Sequence, residues 1–102
     1  MPVSDNAEKK AGQQGISREF KILNQYGIHA RPAAMFVKTA SRYDADVAVE
    51  KEGNRVSGKS IMGLMTLEAS CGSKLTVTAE GSDAEQLLDE LQRLIESKFN
   101  EE

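Results

Sequence analysis

At 102 residues and 11.1 kDa, with hydrophobic residues at 39% and no Trp, the chain has material for one domain around one modest aliphatic core. A net charge of −3 argues against nucleic acid as the main partner, because a phosphate backbone calls for a basic face. No apolar run approaches the ~20 residues of a membrane span, and the start of the chain has no secretory-type apolar stretch, so the expected location is the cytoplasm. With one His and one Cys, neither an internal disulfide nor a metal site built on those ligands is expected.

Residues 1–15 are polar, rich in Gln, Lys, Gly and Ala, and have no hydrophobic period. They are expected to form a disordered arm before a folded domain at 16–102. Residues 17–23 alternate polar and apolar, with Phe20 and Ile22 on one face, and predict a first strand. Asn24-Gln25-Tyr26-Gly27 is a turn. A helix follows over 30–42, with Ala33, Phe36, Val37 and Ala40 at core spacing. Pro32 fits only in its first turn, where a missing N–H is no loss, and this sets the helix start beside His29.

Residues 46–51 alternate again and predict a second strand. Glu52-Gly53-Asn54-Arg55 signals a hairpin, with a short return strand at 55–57. Ser60 is a natural N-cap for a helix over 61–69. Residues 74–80 predict the last strand, with Leu75, Val77 and Ala79 inward and Gly81 ending it. Ser82-Asp83-Ala84-Glu85 has the pattern of a capping box. The last helix places Leu87, Leu88, Leu91, Leu94 and Ile95 on one stripe and ends near Lys98-Phe99. The order β-α-β-β-α-β-α, with strands apolar on one face only, implies an α+β open-faced two-layer sandwich, its four-stranded antiparallel sheet covered on one side by three helices.

The residues that carry chemistry cluster at the first helix. His29 is the one histidine and stands where loop becomes helix. A helix start offers free backbone N–H groups and a partial positive charge, so it suits an anion. An imidazole is partly neutral near pH 7 and supplies a nucleophilic nitrogen. Arg31, two residues on, adds a forked charged donor. Together they suit a phosphoryl group carried on histidine. Taken singly, His29 reads first as a polar cap and Arg31 as a solvated side chain.

The segment Gly27-Ile28-His29-Ala30-Arg31-Pro32-Ala33 resembles the active-site segment of the histidine-containing phosphocarrier (HPr) family of the bacterial phosphotransferase system. Gly58-Lys59-Ser60-Ile61-Met62-Gly63-Leu64-Met65 resembles that family's second signature, and the wording of this segment and of the tail from Arg93 to Phe99-Asn100-Glu101-Glu102 is also similar to its nitrogen-related branch. The resemblance implies that His29 accepts a phosphoryl group on Nδ1 from phosphorylated enzyme I, ultimately from phosphoenolpyruvate, and passes it to an enzyme II A domain. Arg31 and the N–H groups of Ala30 and Arg31 would stabilise the phosphate. Ala34, Lys38, Ile61, Met62 and Met65 would form the docking patch, and Ser60 would be a regulatory site for a serine kinase or phosphorylase. The chain would then be a stoichiometric substrate of other enzymes, working as a monomer with no cofactor and no membrane insertion. The alternative is a regulator that signals through the phosphorylation state of His29 or Ser60 with little sugar transport.

Overall fold

The structure, a computed structural model, describes residues 15–101. The predicted arm therefore lies outside the described residues, apart from Gly15, which already belongs to the first strand. The elements in chain order are β1 (Gly15–Lys21), α1 (Ala30–Ala40), β2 (Asp46–Lys51), β3 (Asn54–Ser57), α2 (Ile61–Thr66), β4 (Lys74–Glu80) and α3 (Ala84–Glu96), followed by a 3-10 turn at Lys98–Asn100. The four strands form one antiparallel sheet in the order β1-β4-β2-β3. The two connections that cross between non-adjacent strands carry α1 and α2, so both helices lie on one face, as the open-faced sandwich requires.

The register explains why that face is the core. Phe20 stands opposite Leu75, Val77 opposite Val49, and Ala79 opposite Val47. All six side chains are buried. Their neighbours in sequence, among them Ser17, Glu19, Thr76 and Asp46, are exposed. A strand's period of two makes this separation automatic once one face is covered. The cover comes from Ala33, Phe36 and Ala40 of α1, Leu64 of α2, and Leu87, Leu88, Leu91 and Ile95 of α3. Val37 and Leu94, predicted as core, are only half-buried, while Thr39 is buried.

Several boundaries differ from the pattern: β1 spans Gly15–Lys21 where 17–23 is predicted, β3 begins one residue earlier at Asn54, and α3 ends at Glu96, before the 3-10 turn. Helix α1 ends at Ala40, where the chain tightens: the N–H groups of Arg42 and Tyr43 bond back to Thr39 and Ala40 carbonyls three residues earlier. Helix α2 stops at Thr66 although Leu67 and Ala69 continue its apolar pattern, because Glu68 takes a left-handed φ of 53° that no helix can absorb. The capping box does not form. Asp83, not Ser82, is the N-cap of α3, and its side chain makes no cap bond. Its two carboxylate oxygens instead accept from the backbone N–H groups of Asp44 and Ala45, each at 2.9 Å. These bonds, that from Asp44 foremost, hold the Asp83 carboxyl below its ordinary value.

After α3 the chain turns through Lys98, Phe99 and Asn100 with φ of 59°, 55° and 58°. Left-handed backbone costs about 1–2 kcal/mol per non-glycine residue. Full burial of Phe99, worth about 1.5–3 kcal/mol, offsets much of it. The turn aims Glu101 back toward α1.

Candidate functional site

The loop ahead of α1 is held tightly. Gly27 has φ +70°, and a Cβ there would lie 2.4 Å from the Ala69 carbonyl oxygen and 2.8 Å from Ser70 Cα. Only glycine gives both the conformation and the clearance. The next residue, Ile28, is buried and donates its N–H to that same carbonyl at 2.8 Å. The segment leaving α2 thus fixes the entry into α1.

His29 is the N-cap of α1, with extended backbone, and its side chain makes no cap bond. Its carbonyl accepts from Ala33 N–H at 2.9 Å, the first bond of the helix. Pro32 sits in the first turn and is buried. Among the described residues, the N–H groups of Ala30 and Arg31 find no carbonyl partner. The His29 side chain is 48% exposed. Arg31 is exposed and makes no ion pair among the described residues. The structure therefore brings together, at one solvent-facing point, an imidazole, two unpartnered backbone donors and the positive end of a helix.

Two neighbours of His29 were not apparent from the motif. Tyr26 sets its ring edge-on to the imidazole, with centroids 6.3 Å apart and planes at 84°. Glu101 places Oε2 3.4 Å from His29 Nε2. The same oxygen accepts from Asn24 Nδ2 at 2.9 Å, and Asn24, fully buried, also donates to the Gly27 carbonyl at 2.8 Å. The Asn24 amide, followed by the His29 ring and the Tyr26 backbone N–H, holds the Glu101 carboxyl below the usual glutamate value against partial desolvation. A polar residue in a predicted turn and an acid 77 positions away leave no periodic trace of such a pair.

The other motif residues lie on α1 and at α2. Ala34 and Lys38 are exposed on α1, at the i+3 and i+7 positions from Arg31 on one helical face. Helix α2 packs against α1. Its Leu64, with Leu67 just after it, faces the core, while Ile61, Met62 and Met65 are 40%, 72% and 38% exposed. Ser60 caps α2, its Oγ accepting from Gly63 N–H at 2.9 Å.

An open-faced sandwich with an exposed histidine at an uncapped helix start is the architecture of a histidine phosphocarrier. Residues 16–97 match the family described as "PTS HPr component phosphorylation site". The chain is 42% identical over 87 residues to the phosphocarrier protein HPr of Treponema pallidum, covering 85% of this chain and 99% of that one. The crystal structure of HPr-C-His from Thermoanaerobacter tengcongensis superposes with a TM-score of 0.82 at 47% identity, covering 85% of this chain and 98% of that one. That of Crh, the Bacillus subtilis catabolite repression containing protein, a domain-swapped dimer, gives a TM-score of 0.66 at 39% identity, covering 80% and 94%. The chain belongs to the HPr family of the phosphotransferase system.

Proposed function

We propose that this protein is a cytoplasmic, monomeric phosphocarrier that accepts a phosphoryl group on His29 from phosphorylated enzyme I and delivers it to an enzyme II A domain. The observation that carries this reading is the open start of α1: an exposed imidazole with no cap bond, beside the free N–H groups of Ala30 and Arg31. Nδ1 bonds to phosphorus as the bond from phosphorus to the enzyme I donor atom breaks, its electron pair leaving with the donor, and the phosphoryl oxygens accept from those N–H groups and from the Arg31 guanidinium. Little further chemistry is needed from the carrier, since positioning and charge stabilisation dominate phosphoryl transfer. The exposed residues Ala34, Lys38, Ile61, Met62 and Met65 suit a docking surface, where adaptable Met side chains accommodate more than one partner.

The test is intact mass after incubation with phosphoenolpyruvate, Mg²⁺ and purified enzyme I, beside the His29→Ala variant. One added, acid-labile phosphoryl group on the parent and none on the variant is the expected result. Labelling of the variant would refute the assignment.

The similarity to Crh favours a second reading, in which phosphorylation of Ser60 controls a regulatory partner. A phosphate at the start of α2 is locally tolerated by the helix end, yet adds roughly two negative charges to the docking face. Uptake of phosphate from ATP by the parent chain and not by Ser60→Ala, in the presence of a family serine kinase, would support it. A domain-swapped dimer in solution would replace the monomer in this account.

A further inference from the structure

We propose that Lys51 is a positioning residue for the docking helix: its ammonium group ties down the exit of α2 and so fixes the pose of Ile61, Met62 and Met65 relative to the loop that carries His29. The proposal rests on the docking surface in the carrier reading above. Lys51 puts a charge on the covered side of the sheet. It ends β2 on the side that also carries Val47 and Val49, both buried. The two residues after it, Glu52 and Gly53, have φ of 51° and 86°, a tight hairpin turn that pairs Lys51 with Asn54. The strand's period and the turn together hold Lys51, half-buried, at the rim of that face, where an ammonium group needs partners. Among the described residues it makes no ion pair. Its Nζ instead donates to the Leu67 carbonyl at 3.1 Å and to the Glu68 carbonyl at 3.4 Å.

The exit of α2 needs such an anchor. The helix has six residues, too few to persist alone in water. Ser60 closes its start, and buried Leu64 holds its middle. At its end the N–H groups of Leu67 and Glu68 bond to the Leu64 and Met65 carbonyls at 3.2 Å each. Glu68 then takes a left-handed φ of 53° without being glycine, a conformation that surrounding contacts must hold. Carbonyls at a helix end carry partial negative charge and favour a cation. Lys51 supplies that cation from another element, 16 residues earlier in the chain. One residue beyond Glu68, the Ala69 carbonyl accepts from Ile28 N–H at 2.8 Å. The segment 67–69 is therefore gripped by β2 on one side and by the loop before α1 on the other. Without Lys51, α2 samples poses in which the docking side chains are misplaced. The loop that carries His29 keeps its own anchor, the buried Asn24 amide on the Gly27 carbonyl. Only carriers in the competent pose then bind, which weakens apparent affinity by their fraction and leaves transfer within the complex unchanged.

The test uses the full chain as parent, Lys51→Met, Lys51→Arg and, as a control for stability alone, Asp83→Asn at the start of α3. Met keeps an unbranched stem and removes the charge, whereas Arg keeps the charge and the donors. Steady-state transfer from phosphorylated enzyme I gives KM and kcat for the carrier, and amide hydrogen exchange reads the exit of α2 directly. Lys51→Met should raise KM by about threefold to tenfold and hold kcat within about twofold of the parent. Its Leu67 and Glu68 amides should exchange about tenfold faster. Lys51→Arg should recover most of both losses, and Asp83→Asn should keep the parent's KM. An unchanged KM in Lys51→Met, or a fall in kcat alone, would overturn the docking role. A KM raised as much in Asp83→Asn would also overturn it, since lost stability would then suffice. Failure of the parent itself to take up phosphate would refute the carrier reading. Faster exchange at Leu67 and Glu68 in Lys51→Met would even then support the anchor, and unchanged exchange would overturn it.

Discussion

Helices α1 and α2 pack against each other and begin in opposite ways. At α2 the side chain of Ser60 accepts from Gly63 N–H, so the helix closes its own first turn. At α1 the residue in the same position, His29, leaves its ring outside the helix, and the N–H groups of Ala30 and Arg31 stay unpartnered. A helix start left open forgoes roughly 1 kcal/mol of capping. Here the deficit falls at the point where an anion would repair it. The two ends are also linked, since Gly27 and Ile28 rest on Ala69, in the segment just after α2. One helix start therefore serves stability, and the segment leaving that helix holds the other start in shape for the proposed chemistry.

The sharpest way to break this comparison is to exchange the residues that define it. His29→Ala should abolish phosphoryl uptake, from one group per chain to none by intact mass. Its unfolding free energy in urea should stay within about 0.5 kcal/mol of the parent, because an exposed ring with no cap bond contributes little to the fold. A large loss of stability would mean that His29 works as a structural cap after all.

Gly27→Ala should do the reverse. The left-handed backbone at +70° and the 2.4 Å approach to the Ala69 carbonyl leave no room for a methyl group, so the loop must move. The expected cost is about 1–3 kcal/mol in urea unfolding. Uptake on His29 should slow with the imidazole intact, which separates the placement of the ring from its chemistry. Ser60→Ala should cost about 1 kcal/mol, from a lost cap, and leave the stoichiometry of one phosphoryl group per chain. Equal stability of Ser60→Ala and the parent would erase the contrast between the two helix starts.

Much of this was legible in the chain and some was not, for physical reasons. The alternation at 46–51 and 74–80 predicts β2 and β4 as they stand, because a sheet with one covered face writes its period directly into sequence. Pro32 locates the start of α1, since proline fits only the first turn. The apolar pattern overextends α2 because Leu67 and Ala69 are buried beyond its end, and burial alone cannot distinguish a helix from the loop that follows it. The motif finds His29 and Arg31, but Asn24 and Glu101 meet only through the long return of the chain after α3. Their pairing depends on a left-handed turn at residues that are not glycine, which no propensity suggests.

The third helix start carries the smallest expected effect and a distinct pH signature. Asp83 opens α3 but spends its carboxylate on the N–H groups of Asp44 and Ala45, tying the loop after α1 to the end of β4. In Asp83→Asn one amide oxygen must serve two donors, so the variant should unfold at lower urea than the parent at neutral pH. The Asp83 carboxyl is held below its ordinary value by those donors, that of Asp44 first. A carboxyl depressed in the folded state stabilises the fold above its unfolded pKa, and that contribution disappears as pH falls through the folded value. The gap between parent and variant should therefore be steady from pH 7 down to about 5, narrow below about 4, and vanish in stronger acid. The depressed carboxyls of Glu90 and Glu101 are shared by both proteins and cancel in the difference. A gap that persists unchanged into acid would show that Asp83 acts through packing, and α3 would then begin, like α1, without a charged anchor.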